Sequence, residues 1–215
     1  MKRPRFVVVE GPIGVGKTSL VQLLAPRLGA ATLLESPEEN PFLVPFYRDM
    51  RRHAFQAQMF FLLHRYRQQQ ELTQFDLFRQ TLICDYLFAK DKIFAYLTLD
   101  EHELALYEKI HDLLQVRVPK PDLVVYLQAA TEVLQQRIAL RGKPFERDME
   151  RQYLEDLNSA YNHFFFHYNA SPLLVVNTND LDFVNRKQDL EDLVKQIEDV
   201  RGGTRHYVPL TSPKR

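Results

Sequence analysis

Phe6-Val-Val-Val-Glu10-Gly11-Pro12-Ile13-Gly14-Val15-Gly16-Lys17-Thr18-Ser19 is the stretch that decides the fold. Phe6–Val9 is a short β-branched run of the kind that forms a buried strand. Gly11–Thr18 fit G-x-x-x-x-G-K-[ST], and a helical pattern continues through Leu28. Glycines there let backbone N–H groups close around phosphate oxygens. Lys17 can reach the outer phosphates, and the Thr18 hydroxyl is a Mg²⁺ ligand. The helix N-terminus adds a dipole that favours an anion. A chance glycine turn with a surface lysine is the competing reading, but it needs neither a strand before it nor a helix after it. The stretch predicts a nucleoside triphosphate site at the first turn of an α/β fold.

Outward from this loop, apolar runs alternate with helical patterns. Thr32–Leu34, Thr81–Cys84, Leu123–Leu127 and Leu173–Val176 read as four more strands. Helices are expected from Phe46 to about Gln70, over 131–141 and 149–168, and over 187–200. Thr98-Leu-Asp-Glu101 reads as a capping box that opens another, with Leu104, Tyr107 and Ile110 on one face. Five short buried runs separated by helices predict a five-stranded parallel sheet covered on both faces. No repeat or linker divides the 215 residues, so residues 1–201 are expected to form one domain and 202–215 a loose tail. Lys and Arg number 28 and so do Asp and Glu, which argues against a generic nucleic-acid or anionic-membrane binder. The single Cys84 cannot form an internal disulfide, and no apolar run approaches the length of a bilayer span. The expectation is a cytoplasmic protein.

Binding of a triphosphate can serve a switch, a motor or a kinase. The guanine-reading N-K-x-D is absent, and no D-x-x-G follows a strand. A motor normally needs a larger chain, so a small phosphotransferase is what remains. Parallel α/β sheets present ligand-binding residues at the carboxyl ends of their strands. Glu35 follows the second strand and Asp85 the third. One acid can serve as general base on an acceptor hydroxyl while the other helps to hold a metal, although a lone acid at such a place is more often a helix cap.

Beyond the phosphate loop lie Leu34-Glu35-Ser-Pro-Glu-Glu-Asn40-Pro-Phe42, Phe46-Tyr47-Arg-Asp49 and Phe55-Gln-Ala-Gln58-Met-Phe-Phe-Leu62 with Arg65. Asp85 with Lys90-Asp91 and Arg137-x-x-x-Arg141-Gly-Lys-Pro-Phe-Glu146 complete the series. In this order the motifs resemble the deoxyribonucleoside kinases, especially their bacterial deoxyadenosine/deoxyguanosine kinase branch, from about Phe6 to Phe183. The resemblance implies a P-loop kinase fold, ATP and Mg²⁺, a deoxynucleoside substrate and a homodimer. By it, Gly11 to Ser19 hold the nucleotide, Thr18 and Asp85 the metal, and Glu35 deprotonates the 5′-hydroxyl. Tyr47 and Glu146 resemble the pair that holds the 3′-hydroxyl, though each alone would pass for a half-buried aromatic and a solvated loop charge. Gln58 resembles the base-reading glutamine. Arg65 and Asp91 resemble the pair found in members that accept purines or deoxycytidine; a structural salt bridge is the other reading. On this basis dA, dG and dC are favoured over dT. Arg137 and Arg141, with a lid over about 141–148, would close over the triphosphate. Asp182 and Phe183 resemble the loop that touches the ATP adenine.

Two positions depart from the family pattern. Asp85-Tyr86-Leu87 stands where the family has Asp/Glu-Arg-Ser, so an arginine is missing, and Lys90 is expected to supply that charge. Pro12 replaces a common asparagine. A thymidylate-type monophosphate kinase is the near alternative, with Arg48 or Arg52 holding a substrate phosphate. A non-catalytic nucleotide-binding subunit is the distant one, favoured only by the missing arginine. His163 and His167, one turn apart without a third ligand, read as the flanks of a core helix rather than a metal pair.

Overall fold

The structure, a computed structural model, describes residues 4–74 and 81–209. Strands β1 (Phe6–Glu10), β2 (Ala30–Leu33), β3 (Thr81–Cys84), β4 (Leu123–Gln128), β5 (Leu173–Asn177) and β6 (Thr204–Tyr207) form one sheet. Its order is β2-β3-β1-β4-β5-β6, and every pairing is parallel. Parallel neighbours need crossovers, which the helices supply. These are α1 (Lys17–Leu28), α2 (Leu43–Arg48), α3 (Met50–Gln74), α4 (Asp91–Thr98), α5 (Glu101–Gln115), α6 (Thr131–Arg141), α7 (Arg151–Phe166) and α8 (Lys187–Asp199).

Alternation along β1 sends its side chains into two cores. Val8 joins Phe46, Ala57, Ile93, Leu157 and Tyr161 on one face. Val7 and Val9 join Leu20, Leu24, Leu134, Leu190 and Leu193 on the other. A third, smaller cluster of Leu62, Phe88, Ala95 and Tyr107 ties α3, α4 and α5 together. β3 and β4 flank β1 on opposite sides, so the chain reverses its direction of travel across β1. Such a reversal opens a crevice at the carboxyl ends of the strands.

The structure corrects the sequence reading in three places. The sheet has six strands rather than five, because Thr204–Tyr207 pairs with Leu173–Val176 along the sheet edge. Three of its four residues are exposed, so this strand is held by backbone pairing and has no apolar run to announce it. The loose tail therefore does not begin at residue 202. Secondly, the capping box opens at Asp100, whose side chain accepts from the N–H groups of His102 and Glu103 while Glu103 reaches back to Asp100. Thr98 instead ends α4, donating its hydroxyl to the Phe94 carbonyl. Thirdly, the helix expected from Phe46 is two helices, broken at Asp49, whose carboxylate accepts the Arg52 N–H at the start of α3. At α7, Phe165 enters the core as expected and Phe164 packs against it.

Candidate active site

Three neighbouring strands end side by side, and each ends on an acid. β1 stops at Glu10, β2 leads through Leu34 to Glu35, and β3 leads to Asp85. Asp85, on the middle strand of the three, links the Glu35 backbone to the phosphate loop. Its Oδ2 accepts the Thr18 hydroxyl at 2.5 Å, and its Oδ1 accepts the Glu35 N–H at 2.7 Å. Burial raises the Asp85 carboxyl, and the Glu35 charge adds to that, against the hydrogen bonds it receives.

The phosphate loop depends on glycine at two points. Gly14 has φ +85°, and a Cβ there would meet the Leu134 carbonyl oxygen at 2.9 Å, so α6 packs directly on the loop. Gly16 has φ +103° and caps α1 without a side chain, leaving the first N–H groups of the helix open. Lys17 folds back to donate to the carbonyls of Gly11 at 2.7 Å and Pro12 at 3.2 Å. Burial, then the charge of Lys90, lowers its ammonium to about 8.

Glu35 lines the cleft and is held there by two cationic side chains. Its Oε1 accepts from Nε and Nη2 of Arg65, and its Oε2 from Lys90 Nζ at 3.1 Å. Burial pushes this carboxyl up, but the charges of Arg65, Lys90 and Lys17 outweigh it and hold it well below the usual carboxylate range. Arg65 also donates to Asp91, to which Gln58 Nε2 donates twice, at 3.0 Å to the carboxylate and 3.0 Å to the backbone carbonyl.

A cleft of about 1080 Å³ runs over these strand ends. It brings together Ile13 to Ser19 of the loop, Glu35, Asp85, Tyr47, Gln58, Arg65, Arg137, Arg141, Glu146, Asp182 and Phe183. Gly11, Pro12 and Asp91 stand outside its lining; Asp91 is fully buried behind Gln58 and Arg65. Tyr47, on α2, packs edge-on against Phe46 and Tyr153, and burial pushes its phenol well up. Glu146, in the turn after α6, is buried and paired with Arg141. Arg137 is turned inward, donating to the carbonyls of Val15 at 3.3 Å and Thr178 at 2.7 Å, so it braces the loop. Phe183 lies against Gly16. Asp182 accepts the Asn185 N–H at the cleft rim.

Sequence reasoning passed over Glu10 and Thr178. Glu10 had a signal, since it ends an apolar strand just as Glu35 and Asp85 follow theirs. Thr178 had none, because its part is to receive Arg137 from another crossover. The missing family arginine is Tyr86, which points into the core and is fully buried.

A family model described as deoxynucleoside kinase matches residues 7–201. The chain is 39% identical to a deoxyguanosine kinase of Bacillus subtilis (strain 168), over 93% of this chain and 99% of the relative. It is 32% identical to a deoxyadenosine/deoxycytidine kinase of the same organism, over 91% and 92% respectively. Among solved structures, deoxyadenosine kinase from M. mycoides with the products dCMP and a flexible dCDP bound superposes with a TM-score of 0.80 at 25% identity. That likeness covers 91% of this chain and 100% of the other. The family match begins inside β1 and ends just past α8, so it takes in every residue of the cleft, and the chain belongs to the deoxynucleoside kinase family, a family of phosphotransferases.

Proposed function

We propose that this kinase transfers the γ-phosphoryl group of ATP, with Mg²⁺, to the 5′-hydroxyl of a deoxynucleoside, taking dA, dG or dC ahead of dT. The observation that supports this most is Glu35, an ionised carboxylate opening on the same cleft as the phosphate loop. In that reading the oxygen of the acceptor bonds to phosphorus as the bridging bond to ADP breaks, and its proton passes to Glu35. Phosphoryl transfer runs through a loose transition state, so the carboxylate mainly orients the hydroxyl and takes the proton late. A carboxyl held so low is a weak base, which suits that division of labour.

Thr18 and Asp85 present two hard oxygen donors in contact at the start of α1. Among the described residues no group of three or more His, Cys, Asp or Glu forms a metal cage. A pair of oxygens suits Mg²⁺, which keeps several waters and takes few protein ligands. When bound, Mg²⁺ neutralises charge on the phosphates. The chain's own contribution is the open N–H groups of the loop, Lys17 exchanging the Gly11 and Pro12 carbonyls for phosphate, and Arg141 leaving Glu146 for the transferring group. Glu146, once released, joins Tyr47 at the 3′-hydroxyl, and residues 141–148 act as the lid.

Gln58 refines the choice of base. Asp91 offers only acceptors, so the amide nitrogen of Gln58 must face it, and Oε1 is the atom offered to the cleft. Guanine can donate N1–H and N2–H to that oxygen, whereas adenine and cytosine lose half of a two-point pairing. Deoxyguanosine is the preferred acceptor in this reading. Neither Arg48 nor Arg52 lines the cleft, and Arg48 lies beside Asp148, so neither arginine supports the monophosphate-kinase reading. Leu106 and Leu113, exposed and seven apart on α5, supply apolar surface for a homodimer. No described helix is long and apolar enough to cross a membrane.

The test is ADP release from ATP·Mg²⁺ with deoxyguanosine, deoxyinosine, deoxyadenosine, deoxycytidine, thymidine and dTMP. Deoxyguanosine should lead by about tenfold in kcat/KM, deoxyinosine, which lacks the N2–H donor, should fall behind it, and Asp91→Ala should shrink that lead several-fold. A lead for deoxyadenosine would overturn the base argument, and turnover on dTMP alone would overturn the reaction.

A further inference from the structure

Glu10 is fully buried at the end of β1, one residue before the phosphate loop. A buried carboxylate is costly unless its lone pairs are filled. Here Oε1 accepts the Gly11 N–H at 2.8 Å and the Tyr161 hydroxyl at 3.2 Å. Oε2 accepts the Leu87 N–H at 2.6 Å and lies 3.9 Å from Lys90 Nζ. Every partner is a donor. A glutamine at this place would turn its own NH₂ against a backbone N–H whichever way it pointed.

Lys90 is equally enclosed, at 2% exposure, and its ammonium is divided between two carboxylates. One is Glu10, which is tied to the loop through Gly11; the other is Glu35 at 3.1 Å. The Oε1 of Glu35 is already filled by two N–H groups of Arg65. Oε2 is therefore the oxygen available to an acceptor hydroxyl, and Lys90 is what sets its direction.

We propose that Glu10 and Lys90 form a positioning couple for Glu35, with Lys90 fixing Oε2 and Glu10 tying Lys90 to the phosphate loop so that acceptor carboxylate and loop keep one register. This rests on the reading of Glu35 as the carboxylate that receives the 5′-hydroxyl. The couple acts through Glu35 and touches no reacting atom, so its loss belongs in kcat. Displacing a reacting group by about 1 Å can cost on the order of a hundredfold in rate.

Steady-state kinetics of the full chain with ATP·Mg²⁺ and deoxyguanosine separate the outcomes. Lys90→Met should lower kcat roughly 50-fold while KM for deoxyguanosine stays within about threefold. Lys90→Arg should recover at least about fivefold of that loss. In the double variant Lys90→Met/Glu35→Gln, kcat should match Glu35→Gln alone within about twofold, because a residue that acts through Glu35 has nothing further to lose. Thermal melts verify folding; if Lys90→Met does not fold, Lys90→Gln takes its place in each comparison. Additive losses in the double variant overturn the couple, as does a Lys90→Met kcat within about threefold of the parent while Glu35→Gln collapses. Full turnover by Glu35→Gln would instead remove the reading of Glu35 on which the couple rests.

Discussion

At the scale of single residues, charge is matched by neighbours more than by solvent. Glu35 sees Arg65 and Lys90, Asp91 sees Arg65 and Gln58, and Glu10 sees Lys90. His111 is the exception, a fully buried imidazole on α5 between the rings of Phe88 and Tyr107, with no hydrogen-bond partner at Nε2. Burial lowers its affinity for a proton, Lys92 adds to that, and Asp112 and Glu108 oppose it without prevailing. The unfolded chain therefore binds a proton that the folded chain refuses. The stability from neutral His111 is complete above the ordinary imidazole value of about 6.5 and is lost as pH falls below it. Melting temperature should fall by a few degrees between pH 7.5 and 5.5, and His111→Gln should flatten that slope. An unchanged slope in the variant would assign the acid sensitivity elsewhere. Much of the cleft was legible at this scale because glycine, lysine and strand-end acids have few other reasons to stand together. What the letters cannot express is partnership. Arg65 and Asp91 look like a pair in the sequence, yet Arg65 is shared with Glu35, and Arg137 looks like a lid residue yet braces Val15 and Thr178.

At the scale of elements, β2, β3 and β1 place three acids in a row, and the turn after α6 closes over one end of the cleft. Gly142, with φ +63°, ends α6 and lets the chain turn into Lys143-Pro-Phe-Glu146. Arg141 pairs with Glu146, and in the proposed function arrival of the deoxyribose separates them. Glu146→Gln should therefore weaken the discrimination between deoxyguanosine and 2′,3′-dideoxyguanosine by about tenfold in kcat/KM, since only the former offers a 3′-hydroxyl. A ratio equal to the parent's would place the 3′-hydroxyl elsewhere. Element type was readable where an apolar run or an apolar periodicity was strong, as in β1, β4 and α8. It failed at β6, where exposed Thr204, Arg205 and His206 carry no apolar signal, and at Asp49, where one polar residue divides a continuous helical pattern.

At the scale of the whole molecule, two cores clamp one sheet, and the site occupies the place where the chain changes direction across β1. The parallel order follows from the alternation of apolar runs and helices, so the architecture was within reach of the sequence. The mutual distances of Glu35, Arg65, Asp85 and Lys90 were not, because they depend on crossovers that lie far apart in the chain. The central claim is that Glu35 receives the acceptor hydroxyl. It is tested most directly by quenched single-turnover transfer of the γ-phosphoryl group from ATP·Mg²⁺ to deoxyguanosine, in the parent and in Glu35→Gln. The account predicts 5′-dGMP as product and a transfer rate lower by about a hundred- to ten-thousandfold in the variant, with nucleotide binding retained. Transfer at the parental rate by Glu35→Gln would contradict it.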